Sequence, residues 1–251
     1  MVDNFVFITV RLRSTRLPQK ALLPFGNEKS VIAFVIKRCL NTPKLIPIIC
    51  TGNWEDNNKL AAVAHEHKLP IYFGHENNKM KRWLDCAKSL NINYFHALDA
   101  DDPFFDPDRV LLSLNQLNSQ IETEVILPSN YSDTGAATEG YSIQTKSLNF
   151  IEKFEDNDDT EMVFGLLKKN AKCLSFHDPD YKHEKIRMTL DYQEDYLFLN
   201  SLAQKFNFKS KRSEIENDLL IRFKETPNFF KNLEWKAAQL TKSEKTVNEL
   251  S

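Results

Sequence analysis

Short apolar runs alternate with amphipathic segments over the first half of this 251-residue chain, and nothing else in the sequence restricts the fold as strongly. Phe5, Val6, Phe7, Ile8 and Val10 make Asn4 to Val10 a buried strand. Ser30 then stands as an N-cap before Val31, Ile32, Phe34, Val35, Ile36 and Cys39. The spacing predicts further strands over 45–51, 70–73, 92–98 and 125–127, with helices over 55–68, 78–90 and 108–117 between them. A βαβα order of this kind predicts an α/β fold: a doubly wound, mostly parallel, Rossmann-type sheet in three layers, with right-handed crossovers.

The rhythm loosens after Pro128. Residues 131–137 read as a turn-rich loop facing a ligand, 139–144 as an antiparallel strand and 146–154 as a helix. A last short strand is expected over 186–190 and a helix over 192–206. Charged helical segments follow, over 213–223 and 226–240. The expected organisation is a domain over 1–209, a helical extension over 210–241 that packs on the core or on a second subunit, and a disordered polar tail over 242–251.

Charge narrows the choice of ligand. The net charge of −2 gives no global basic field, so a general nucleic-acid binder is not expected. Positive charge is instead local: Arg11, Arg13, Arg16 and Lys20 leave the first strand within ten residues. Loops at the C-terminal ends of parallel strands are where open α/β sheets bind ligands. Four cations there suit a small polyanion such as a triphosphate, although a solvated basic loop reads equally well from charge alone. Ser14 and Thr15 add hydroxyl donors, and Pro18 adds a bend.

A second cluster, Asp99, Asp101 and Asp102, closes the strand over 92–98 and is either an acidic helix-entry turn or a set of oxygen donors of the kind Mg²⁺ takes. A third, Arg187 to Asp195, leaves two readings of Asp191. It is either an N-cap with Glu194 as capping-box partner or a second carboxylate on a metal. Four separated cysteines without metal spacing read as reduced residues of a cytoplasmic protein, and no apolar run approaches the ~20 residues needed to span a membrane. The tryptophans read as core or interface anchors. The absence of GxGxxG argues against a dinucleotide-binding enzyme.

Together the three clusters resemble the cytidylyltransferases typified by CMP-3-deoxy-manno-octulosonate synthetase, most of all the branch called spore coat polysaccharide biosynthesis protein F. That branch opens with Ala-Arg-Met-Gly-Ser-Thr-Arg-Leu-Pro-Gly-Lys after an apolar strand, and this chain has Val10-Arg11-Leu12-Arg13-Ser14-Thr15-Arg16-Leu17-Pro18-Gln19-Lys20. Further matches follow in order at Gly74 to Trp83, at Ala100-Asp101-Asp102-Pro103 and at Arg187 to Asp195. The resemblance implies a nucleotide-diphospho-sugar transferase-like fold and Mg²⁺-dependent transfer of CMP from CTP to a sugar-like acceptor for surface polysaccharide. It also implies that Arg11 and Lys20 grip the CTP phosphates, with Ser14 and Arg16 beside them; Arg13, which stands where the branch has glycine, either adds a phosphate contact or partly blocks the cradle. Arg82 lies near the base, Asp101 and Asp191 ligate Mg²⁺, and Asp101 is the best-placed proton acceptor. The resembling enzymes are commonly dimers, so a homodimer is in view.

The chain departs from the branch at several positions. Arg13 and Gln19 replace glycines of the loop, Ala100 replaces another, Asn78 stands where the branch has an acid, and Gly135 and Glu139 fit the branch's segment around the acceptor-sugar loop while residues 133–138 around them diverge. These keep three rivals in play: a same-fold enzyme using another nucleotide or a non-sugar acceptor, a non-catalytic nucleotide-binding relative, and an interaction scaffold.

Overall fold

Strand β1 (Asn4–Val10) shows how an apolar run becomes a two-faced core. Successive side chains of a strand point to opposite faces. Phe7 accordingly joins one cluster, with Cys50, Trp83 and Phe95, whereas Val6, Ile8 and Val10 join another. The Phe7 and Phe95 rings stack with centroids 4.1 Å apart. A strand covered on both sides keeps no polar face, which is why its sequence shows none.

The computed structural model describes residues 3–156, 158–177 and 185–238. Beside β1 run β2 (Leu45–Gly52), β3 (Ile71–Gly74), β4 (Tyr94–Asp99), β5 (Val125–Leu127), β6 (Tyr141–Gln144) and β7 (Cys173–Ser175). They form one seven-stranded sheet in the order β3-β2-β1-β4-β6-β5-β7. The first four of that order are parallel, with Phe7 opposite Ile48 and Ala97. β6 runs antiparallel to β4 and β5, and β7 is parallel to β5. The expected doubly wound, mostly parallel sheet is therefore present.

Helices α1 (Val31–Leu40), α2 (Lys59–His67) and α4 (Pro107–Ser119) cover the face of Val6 and Ile8. The other face is covered by α3 (Lys79–Ser89), α5 (Val163–Asn170) and a 3-10 segment, Thr145–Lys153. Ser30 caps α1 as expected, its hydroxyl accepting from Ala33 N at 3.2 Å. At one end, α6 (Gln193–Lys205) and α7 (Arg212–Arg222) enclose a third cluster with Phe25, Phe34, Phe104, Leu199 and Ile215. Arg212 is buried and ties α7 to the carbonyls of Phe104 and Ala136, both at 2.7 Å. Residues 231–238 are helical; the expected helix end near 240 and the tail over 242–251 lie outside the described residues.

Three local expectations change. Residues 186–190 form no sheet strand: Met188 N donates to Gly135 O and Leu190 N to Asp101 O, so the segment spans two loops. The seventh strand is Cys173–Ser175, a three-residue pairing with β5. The helix expected over 146–154 is the 3-10 segment, and residues 131–137 include one π-helical turn, Ser132–Ala136, with Gly135 at φ 102°.

The topology fixes where a ligand goes. From β1 the chain moves outward through β2 to β3, then returns through α3 to β4 on the other side of β1. The order reverses between β1 and β4, and the loops leaving their C-terminal ends diverge around a crevice.

Candidate active site

The crevice is a cleft of about 740 Å³. One wall is the loop after β1, curled around a single carbonyl: Leu12 O accepts from Ser14 N at 3.0 Å and from Gln19 N at 3.1 Å. Ser14 Oγ accepts from Leu17 N at 3.3 Å, and Asn57 Oδ1 from Leu12 N at 3.0 Å. Gln19 holds the left-handed turn at φ 53°, a conformation that glycine adopts without steric cost. So folded, the loop presents Arg11, Arg13, Ser14, Arg16 and Lys20 to the cleft.

Each of these cations is paired. Arg11 meets Glu161 at 3.3 Å, and Arg13 meets Asp56 at 3.0 Å with its guanidinium over Trp54. Arg13 thus leans to the rim and leaves the middle of the loop open. Arg16 Nη2 donates to Asp191 Oδ1 at 2.7 Å. Lys20 Nζ donates to Asp101 Oδ2 at 2.5 Å, Leu190 O at 2.7 Å and Asp191 Oδ1 at 3.0 Å. Burial pulls the Lys20 pKa down, but Asp101 and Asp191 more than offset it and hold it well above the ordinary lysine range. Lys20 in turn keeps Asp101 below the usual carboxylate range despite its burial. Burial, then Asp101 and Asp99, push the neighbouring Asp102 well up.

Asp191 is free for this work because another residue caps α6. Asp195 Oδ2 accepts from the amides of Asp191 and Tyr192 at 2.9 and 3.0 Å. The expected capping partner, Glu194, is replaced in that role by Asp195. Arg187 grips Asp195 through two bonds of 2.8 Å, both side chains fully buried. The capping reading of Asp191 therefore gives way to one in which its carboxylate faces the cleft.

Arg82 lines the cleft but spends its Nη1 on the carbonyls of His75 and Glu76, at 2.6 and 3.3 Å. Its buried Nε has no hydrogen-bond partner among the described residues. Asn78 is structural: its side chain caps α3 by accepting from Lys81 N at 2.9 Å and donates to Glu155 O at 3.1 Å. Among the described residues no three His, Cys, Asp or Glu side chains gather as a metal-ligand group. The two expected ligands, Asp101 and Asp191, converge instead on the Lys20 ammonium.

Residues 5–241 match the family model described as cytidylyltransferase. The chain belongs to the cytidylyltransferase family. It is accordingly a CTP-using nucleotidyltransferase by class. The spore coat polysaccharide biosynthesis protein SpsF of Bacillus subtilis (strain 168) is 22% identical over 218 residues, covering 82% of this chain and 88% of that one. The 3-deoxy-manno-octulosonate cytidylyltransferase of Chlorobium limicola is 25% identical over 175 residues, covering 70% of this chain and 63% of its own. A solved cytidylyltransferase from Leptospira borgpetersenii shares the fold, with TM-score 0.75, 21% identity, and coverage of 88% of this chain and 95% of that one.

All eight site residues expected from this cytidylyltransferase's sequence line one cleft: Arg11, Arg13, Ser14, Arg16, Lys20, Arg82, Asp101 and Asp191. Sequence reasoning missed others. Lys79 lines the cleft from the first turn of α3, its ammonium 2.7 Å from Asp99 and over the Trp83 ring. A lysine at a helix N-terminus opposes the helix dipole, and that was the available signal. Glu161, Trp235 and Lys236 also line it, and so do Asp133 and Thr134, in the loop over 131–137 that was expected to face a ligand. Among the described residues, no helix is long and apolar enough to cross a membrane.

Proposed function

We propose that this cleft transfers CMP from CTP to a hydroxyl of a sugar or sugar acid, releasing pyrophosphate, in the building of surface polysaccharide. Family membership supports the nucleotide, and the names of the two relatives support a sugar-acid acceptor. One observation carries the chemistry: the Lys20 ammonium bridges Asp101 and Asp191 beside Arg11 and Arg16. These cations are held in exchangeable pairs. An arriving triphosphate offers them denser negative charge, so phosphates draw Arg11, Arg16 and Lys20 inward while the carboxylates are uncovered.

A divalent cation fits what is uncovered. Asp101 Oδ2 and Asp191 Oδ1 are hard donors already aimed at one positive charge, as Mg²⁺ requires. Asp101 and Asp191 would hold Mg²⁺, which when bound would supply positive charge to the α-phosphate. Arg11, Arg16 and Lys20 neutralise the phosphates, and Ser14 closes the loop beneath them. The acceptor oxygen forms its bond to the α-phosphorus as the bond to the β-phosphate oxygen breaks. The hydroxyl proton passes to Asp101 and the electron pair leaves with pyrophosphate. Four free cysteines, three of them buried, support a reducing cytoplasmic setting for this chemistry.

A thermal-shift panel of CTP, UTP, ATP, GTP and dTTP, each with Mg²⁺, tests the reading. Selective stabilisation by CTP is expected, about 5–10 °C at a hundredfold excess over Kd. Pyrophosphate release with 3-deoxy-manno-octulosonate or a related sugar acid should follow. Stabilisation by a different nucleotide would overturn the base assignment, and CTP binding without pyrophosphate release from any sugar would overturn catalysis.

A further inference from the structure

The cleft has a second wall opposite the cation loop, and the residues it gains from the C-terminal helix belong to none of the motifs. The chain returns to it after α7. Thr226 Oγ1 accepts from Arg187 N at 3.0 Å, Asn228 Nδ2 donates to Asp195 Oδ1 at 2.7 Å, and Asn232 Oδ1 accepts from Arg187 Nη1 at 2.9 Å. Asn228 lies in the turn that leads into the helix over 231–238, and within that helix Trp235 and Lys236 follow Asn232 by three and four residues, on the same face. Asn228 and Asn232 are buried against the Arg187–Asp195 pair. The next turn along that face therefore emerges at the cleft, where Trp235 is half-buried and Lys236 exposed.

This helix is keyed to the loop over 131–137. Gly135 carries φ 102°, and a Cβ there would lie 2.7 Å from Asn232 Oδ1. The contact sets Asp133 and Thr134 beside Trp235 and Lys236 on the wall of the cleft. Lys236 lies within electrostatic reach of Asp133 but closes no ion pair among the described residues. It differs in this from Arg11, Arg16, Lys20 and Lys79, each of which has a carboxylate against it. An anion can take Lys236 without breaking a pair, whereas each of the other four must first leave its carboxylate.

We propose that Trp235 and Lys236, with Asp133 and Thr134, form the acceptor subsite and select a sugar carrying a carboxylate. This deepens the cytidylyltransferase reading and rests on it. The Trp235 ring offers an apolar face to the C–H face of a sugar ring. Lys236 supplies a point charge to the carboxylate, and Asp133 and Thr134 supply polar partners to hydroxyls.

Calorimetry on the full chain tests this, using a CTP analogue with a methylene bridge between the α- and β-phosphates. The analogue-saturated protein should bind 3-deoxy-manno-octulosonate and not mannose. Lys236→Ala should weaken the sugar acid by about tenfold or more and Trp235→Ala by a similar factor, with the affinity for the CTP analogue unchanged within about twofold. Lys236→Arg should retain most of the sugar-acid affinity. Equal binding of mannose, loss of analogue affinity in Lys236→Ala, or no sugar-acid binding to the analogue-saturated protein would each overturn the subsite. Failure of the wild-type chain to bind the analogue at all would instead overturn the nucleotide reading beneath it.

Discussion

Without its ammonium, Lys20 would leave Asp101 and Asp191 facing one another in a recessed cleft, with Asp191 still offset by Arg16 at 2.7 Å and Arg187 at 3.6 Å. Removing one partner of a buried ion cluster costs about 3–5 kcal/mol, because the remaining charge stays desolvated. Lys20→Met should therefore lose about 3 kcal/mol in urea unfolding at pH 7. In that variant burial, no longer offset by Lys20, raises the Asp101 carboxyl, and its penalty grows as pH rises through the folded-state value. Part of the loss should accordingly return at pH 5. Pyrophosphate release should fall at least about a hundredfold, since the same group neutralises phosphate. A variant that lost stability but kept turnover would reduce Lys20 to a structural role. Lys20 and its carboxylates were legible in the sequence because each closes a short string at the end of an apolar run. Trp235 and Lys236 were not, because a long-range bond from Arg187 to Asn232 brings their helix to the cleft.

Between elements, the closest fit is that of Gly135 against Asn232. Gly135→Ala demands a left-handed backbone from a residue with a Cβ and drives that Cβ into the Asn232 amide. The loop and the helix over 231–238 must then part, at an expected cost of about 2–3 kcal/mol in thermal or urea unfolding. The phosphate side of the cleft lies on other elements, so affinity for CTP should change little. An unchanged melting temperature would show that the two elements move independently. The segment over 186–190 shows what a pattern can and cannot tell. Ile186, Met188 and Leu190 alternate as a strand does, and all three are buried. Arg187 and Thr189 between them are buried too, so the alternation marks only which side chains are apolar and says nothing of what the backbone bonds to; here the partners are Gly135 and Asp101. β7 escaped notice for the opposite reason, since three half-exposed residues carry no periodicity at all.

At the scale of the whole molecule, one buried imidazole ties stability to pH. His96 lies in β4, accepts from Gly140 N through Nε2 at 3.1 Å and has Ser142 Oγ 2.9 Å from Nδ1. Burial lowers its pKa to about 3. Between that value and the ordinary 6.5, only the unfolded chain takes up the proton, so stability is lost as pH falls through the window. The loss from this group should be about 2 kcal/mol between pH 7 and pH 5, and His96→Gln should flatten that part of the profile. A wild-type profile already flat there would mean that the folded chain binds the proton. The doubly wound architecture was the most legible property of all, because every strand of the parallel half is an apolar run and every crossover an amphipathic helix.

The parallel half of the sheet also gives the molecule two unlike rims. The ligand-facing loops all leave the C-terminal ends of β1 and β4 or converge there from elsewhere. The connections over 41–44, 68–70 and 90–93 instead lead into the N-terminal ends of β2, β3 and β4, across the thickness of the sheet. Residues inserted at those three turns, whether a tag, a fluorophore or a spacer to a surface, would meet no substrate. The enzyme could be held or labelled from behind while its cleft stays open to solution.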